Sequence, residues 1–149
     1  MRRDILRILV DADACPVKQI VVHLAKQYCV PVFMISDSCH QWQDDYSTVI
    51  VVDKGKDSVD IYLVNLIQPE DLVITQDFGV AAMALAKHAK AINQNGLIYQ
   101  EQNMDRLLFE RFLNQKMRRS NGRNGKNRKR TDIDDKNFER VLLSFLKKQ

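Results

Sequence analysis

Short apolar runs rich in β-branched residues recur along this chain, and most gaps between them have the length and spacing of a helix. That alternation limits the fold more than any single motif. Ile5 to Val10 reads as a buried strand. Pro16 to Cys29 reads as a helix with proline near its first turn and Val17, Ile20, Val21, Leu24 and Ala25 at helical spacing. Pro31 to Ile35 and Ser47 to Val52 give the second and third strands. Asp57 to Ile67 carries Val59, Tyr62, Leu63 and Leu66 on one helical face, and Asp71 to Thr75 is the fourth strand. Phe78 to Ala89 is an alanine-rich helix, and Ala91 to Tyr99 holds one or two short strands around NQNG. The fold class expected is α/β, a three-layer sandwich with a mainly parallel central sheet. In such sheets ligands bind outside the carboxyl ends of the strands, where strand order reverses.

Beyond the sheet, Met104 to Met117 predicts a helix capped by Asn103, with Leu107, Leu108, Arg111 and Phe112 marking its buried side. Residues 118–132 predict a flexible basic loop, rich in Gly, Asn, Lys and Arg. A last amphipathic helix follows over 133–149, capped by Asp134. At 149 residues the whole chain, 1–149, fits one domain with C-terminal helices. No apolar run approaches the roughly 20 residues that cross a bilayer, and acids interrupt the N-terminal segment, so neither membrane nor export is expected. Cys15, Cys29 and Cys39 lack CxxC spacing, which fits reduced thiols in a cytoplasmic protein.

Charge is unevenly placed. Between Lys116 and Arg130 stand eight Lys or Arg and no acid; of 23 cations that leaves 15 elsewhere, against 19 acids. A net negative body with a cationic arm suggests an acidic site working beside a binder of polyanions. The arm residues are Arg118, Arg119, Arg123, Lys126, Arg128, Lys129 and Arg130.

The acids themselves gather at the expected strand ends. The first strand ends in Asp11 and Asp13, the third runs into Asp53, Asp57 and Asp60, and the fourth ends in TQD with Asp77. Each alone is explained as a helix cap, because Asp is among the best N-cap residues. Three loops delivering carboxylates to one edge favour a metal, since like charges repel unless a cation lies between them. All-oxygen donors select Mg²⁺ or Mn²⁺. Such an ion activates water and offsets charge on a phosphoryl centre, so phosphodiester hydrolysis fits best. The candidate catalytic and metal residues are Asp11, Asp57, Asp60 and Asp77, with Asp13 and Lys18 in support.

The stretches VDADACPVK, GKDSVD, DLVITQDFGVAA and NMDRLLFERFLNQKMRR resemble successive signatures of the YaiI/YqxD family of uncharacterised bacterial proteins. That family is similar in fold to PIN and NYN nuclease domains. The resemblance implies a PIN-like fold and a Mg²⁺- or Mn²⁺-dependent nuclease site, with RNA favoured over DNA. Asp11 then matches the first-strand acid, Asp57 or Asp60 the acid opening the middle helix, and Asp77 the acid after the fourth strand. Here Phe-Gly-Val follows TQD where the family usually shows Ile-Pro-Leu, and the basic loop replaces a Gly-Pro-rich segment.

Other expectations remain. A degenerate PIN-like fold serves as a non-catalytic nucleic-acid-binding module through its arm alone. The DxD of Asp11 and Asp13 also opens haloacid-dehalogenase-like phosphatases, where the first Asp is the nucleophile. Cys15 at a helix start is a candidate low-pKa thiol. His40 and Trp42, in the loop after the second strand, are candidates for stacking on a base.

Overall fold

The structure is a computed structural model that describes residues 5, 7–13, 15–37, 42–53, 58–121 and 129–147, with the backbone alone for 119–121. Five strands and five helices follow in the order β1 (Ile8–Asp11), α1 (Lys18–Gln27), β2 (Val32–Asp37), β3 (Thr48–Val52), α2 (Val59–Leu66), β4 (Leu72–Ile74), α3 (Phe78–Ala86), β5 (Lys90–Ile92), α4 (Glu101–Asn121) and α5 (Asp132–Lys147). The strands form one sheet in the order β3-β2-β1-β4-β5, and every neighbouring pair is parallel.

Side chains alternate across a strand, and here the two sets feed two cores. Ile8, Val10, Met34 and Ile74 point into one, closed by Val21 and Leu24 of α1 and by Phe138 and Leu142 of α5. Leu9, Ile35, Val73 and Ala91 point into the other, closed by Leu63 of α2, Val80 and Ala84 of α3, and Met104 and Leu107 of α4. This is the expected α/β sandwich. Burial on both faces explains why the central strands read as continuous apolar runs rather than alternating ones. Among the described residues no helix is long and apolar enough to cross a membrane.

Element ends differ from expectation where non-glycine residues do what glycine usually does. The helix expected over Phe78 to Ala89 stops at Ala86. His88 adopts φ 66°, and the Ala89 N–H turns back to the Ala84 carbonyl at 2.9 Å. The first helix closes the same way: Cys29 has φ 57° and the Val30 N–H donates to Ala25 O at 3.0 Å. Asn103 does not cap α4 from outside. It lies inside the first turn and accepts from the Gln100 N–H at 2.9 Å, so the helix begins at Glu101. Asp134 acts alike in α5, accepting from the Thr131 N–H at 3.0 Å, which moves that helix start to Asp132. At its far end α4 runs to Asn121, so Arg118 and Arg119 belong to a helix and not to the basic loop.

Candidate functional site

From β1 the chain moves outward through β2 to β3, whereas β4 and β5 lie on the other side of β1. Strand order therefore reverses between β1 and β4, and the crevice above their carboxyl ends is where this class of sheet places ligands. Asp11 is the last residue of β1, and Thr75 follows β4 directly. The buried Thr75 ties the two strand ends together. Its Oγ1 donates to Asp11 Oδ2 at 3.0 Å and accepts from the Asp77 N–H at 3.0 Å. The Thr75 carbonyl accepts from the Tyr99 hydroxyl at 3.1 Å, and the Tyr99 ring meets Phe78 edge-on at 5.8 Å.

Asp77 is the N-cap of α3, its Oδ1 accepting from the Val80 N–H at 2.9 Å. A Cβ at Gly79 would lie 3.1 Å from that oxygen, so glycine leaves the carboxylate its room. The cap of α2 is Ser58, whose Oγ accepts from the Ile61 N–H at 3.1 Å. Asp60, in that helix's first turn, is thus not needed as a cap and faces Asp77. Burial raises the Asp60 carboxyl above the usual range, and the Asp77 charge and a hydrogen bond shared with Asp77 raise it further. Burial, followed by the charges of Asp60, Asp13 and Asp77, lifts Asp11 to about 6 despite the opposing hydrogen bond from Thr75. Tyr99 is pushed up to about 12 by burial and by the nearby Asp77.

The capping account therefore covers Asp77 but not Asp11 or Asp60. Asp13 is turned aside, its Oδ2 accepting from the Asp37 N–H at 3.2 Å, so the two acids of DAD have different surroundings. Lys18 donates to the Ala12 carbonyl at 3.1 Å and lies 5.2 Å from the centre of the Trp42 ring. The Trp42 Nε1–H donates to Asp44 at 2.6 Å, so the indole is held between a cation and a carboxylate. Burial pushes the Cys15 thiol up, the reverse of what a reactive thiolate needs.

Of the arm, Arg118 and Lys129 are exposed. Arg130 is held by Asp135 Oδ1, Asn95 Oδ1 and the Gln94 carbonyl, each at 2.7 Å. Asp57, His40, Arg123, Lys126 and Arg128 lie outside the described residues, as does the Arg119 side chain. Among the described residues no group of three or more His, Cys, Asp or Glu is placed to hold a metal ion as the chain stands. Thr75 and Tyr99, both bound to the strand end, are site residues that sequence reasoning did not single out. Thr75 was visible inside TQD, but nothing in spacing points to Tyr99.

The model of the uncharacterized YaiI/YqxD family matches residues 9–148. A UPF0178 protein from Ruminiclostridium cellulolyticum is 60% identical over 142 residues, covering 95% of this chain and 93% of that one. Similar proteins of the same printed name come from Alkaliphilus oremlandii, at 50% identity with 95% and 91% covered, and Natranaerobius thermophilus, at 46% with 95% and 96% covered. No solved structure matches.

Proposed function

For this chain, which belongs to the uncharacterized YaiI/YqxD family, we propose a Mg²⁺- or Mn²⁺-dependent nuclease of PIN-like type, acting on RNA in preference to DNA. One observation carries the reading: Asp11, Asp60 and Asp77 lie close enough at the switch point that the charges of Asp60 and Asp77 raise Asp11 and Asp77 raises Asp60, both beyond the effect of burial, with no Lys or Arg paired to any of the three among the described residues. A crowd of carboxylates without a cation is costly, and a hard divalent ion relieves it. The donor chemistry fits the ion. The side chains are not gathered as a ready cage, so binding would draw them inward, with Asp57 a further candidate ligand.

When bound, the ion would supply a water of lowered pKa and offset charge on the phosphoryl oxygens. The chain's own residues do the rest. Thr75 fixes the Asp11 carboxylate from one side and the Asp77 backbone from the other. Asp11, ionised once an ion is bound, would hold the ion or position the attacking water. The exposed Arg118 and Lys129 would contact phosphates, with affinity falling steeply as salt rises.

Incubation of labelled single-stranded RNA with the protein and Mn²⁺ tests this. Cleavage that disappears in Asp77→Asn, while RNA binding survives, is the expected result. Binding lost on deletion of 120–130 without cleavage in the wild type would leave a nucleic-acid-binding module and overturn the nuclease.

A further inference from the structure

At 21 residues α4 is about 30 Å long, yet among the described residues only its first half is held to the body. Met104 and Leu107 are buried, and the Arg111 guanidinium lies 5.5 Å over the Phe78 ring. These residues define the side facing inward. Leu108, Phe109, Phe112 and Leu113 are 41–60% exposed. At 3.6 residues per turn they form a stripe about 140° wide that runs from Leu108, flanking the inward side, round to Leu113 on the far side, with Asp105 and Lys116 along its middle. Leu108 and Phe112, expected from the sequence to face the core, thus face outward. Four large apolar side chains in one stripe, with apolar area on the order of a few hundred Å², mark an interaction surface rather than scattered surface residues.

The charges along the stripe select its occupant. We propose that α4 pairs antiparallel with α4 of a second copy of this chain, about a two-fold axis passing between Glu110 and Arg111. In that register Leu108 faces Leu113 of the second copy, Phe109 faces Phe112, and Asp105 faces Lys116, each contact occurring twice. A parallel pair in register would set Asp105 against Asp105 and Lys116 against Lys116, which like-charge repulsion disfavours. The stripe is thus complementary to itself in one orientation only. Lys116 Nζ already lies 5.7 Å over the Phe112 ring, close to the place where the second copy's Asp105 would meet it.

Sedimentation equilibrium of the full chain, from about 1 to about 200 μM, tests this, with helical content followed by circular dichroism as the folding control. The wild type should associate to dimers. Phe109→Glu, at an exposed position that leaves the fold intact, should weaken association about 100-fold or more. Asp105→Lys and Lys116→Asp should each weaken it about tenfold, because each sets two like-charged pairs face to face. The double charge swap should restore it to within about threefold. A wild type that stays monomeric, with the face left for nucleic acid or another protein, overturns the proposal. So does a dimer indifferent to Phe109→Glu, or single swaps that the double swap does not rescue.

Discussion

Asp11→Asn should make the protein more stable, and the reason lies in where the carboxylate is held. Asparagine keeps the size and still offers Thr75 an acceptor oxygen, so the substitution removes charge and little else. From its ordinary 3.8 the native Asp11 is lifted to about 6, chiefly by burial. At 1.36 kcal/mol per pH unit, that rise means the ionised group costs the native state about 3 kcal/mol above pH 7. The direction is that of an acid raised on folding. Below the unfolded value of 3.8 the group is protonated in both states and contributes nothing. As pH climbs through 6 the native state must give up a proton it holds better than the unfolded chain does, and stability falls. The wild type should therefore lose stability between about pH 4 and pH 7, and the variant should lack that part of the fall. Allowing for the weaker hydrogen bond an amide accepts, the gain at pH 8 should be about 2 kcal/mol, or about 4–8 °C in midpoint for a chain of this size. Urea unfolding in the presence of a chelator at pH 4.5, 6 and 8 measures it. A variant no more stable than wild type at pH 8 would refute the claim that Asp11 is held against its own charge.

The other acids and their neighbours give contrasting outcomes. Asp71→Asn should destabilise by about 3–5 kcal/mol in the same urea assay, because the fully buried Asp71 pairs with Arg7 at 3.0 Å and its loss strands a guanidinium. Mn²⁺ at 100 times its dissociation constant should stabilise the wild type by about 2.7 kcal/mol and leave Asp11→Asn and Asp77→Asn unmoved, read as midpoints of thermal unfolding. Gly79→Ala should change stability little, since about 1 kcal/mol of helix propensity gained offsets a strained cap. It should weaken Mn²⁺ several-fold in the same scan, because the added methyl crowds Asp77 Oδ1 at 3.1 Å.

Pattern made the sheet legible and left its edges obscure. The apolar runs identified all four of the strands placed firmly, because burial on both faces writes itself as Val, Ile and Leu in series. Cys29 and His88 end helices in a left-handed conformation that glycine normally signals, so those ends carried no mark in the sequence. Asn103 and Asp134 are residues that cap from outside or reach back from inside, and the sequence does not distinguish the two. In the candidate site, Asp11, Asp60 and Asp77 could be placed at one edge from sequence because strand ends of a parallel sheet point one way. Tyr99 reaches Thr75 from 24 residues downstream, through the turn that carries Gly96 at φ 85°, and only the folded chain shows it. On α4, Leu107 and Arg111 face the body as expected but Leu108 and Phe112 are exposed, because apolar residues on a helix look alike whether they face a core or solvent.

The two ends of the sheet treat acids in opposite ways, and that contrast bears on what the upper end is for. At the amino end, Asp71 receives both of its oxygens' partners from Arg7, with the Gln68 N–H adding a third bond at 2.8 Å. That carboxylate is fully satisfied within the chain. At the carboxyl end, Lys18 and Arg130 are directed elsewhere: Lys18 donates to the Ala12 carbonyl, and Arg130 is held by Asp135, Asn95 and Gln94. Among the described residues Asp11 keeps one hydroxyl partner, and Asp60 and Asp77 face each other. A fold that balances a buried charge so completely at one end has the means to do so at the other. Among the described residues the switch-point carboxylates have no resident cation, which lowers stability, and the divalent ion proposed above would offset that cost. The chelator and Mn²⁺ arms of the unfolding experiments decide it: in wild type the pH-dependent loss should shrink when Mn²⁺ is present, because bound metal keeps Asp11 ionised at no cost. If Mn²⁺ leaves the pH profile unchanged, the external cation is excluded and the site must balance its acids by protonation.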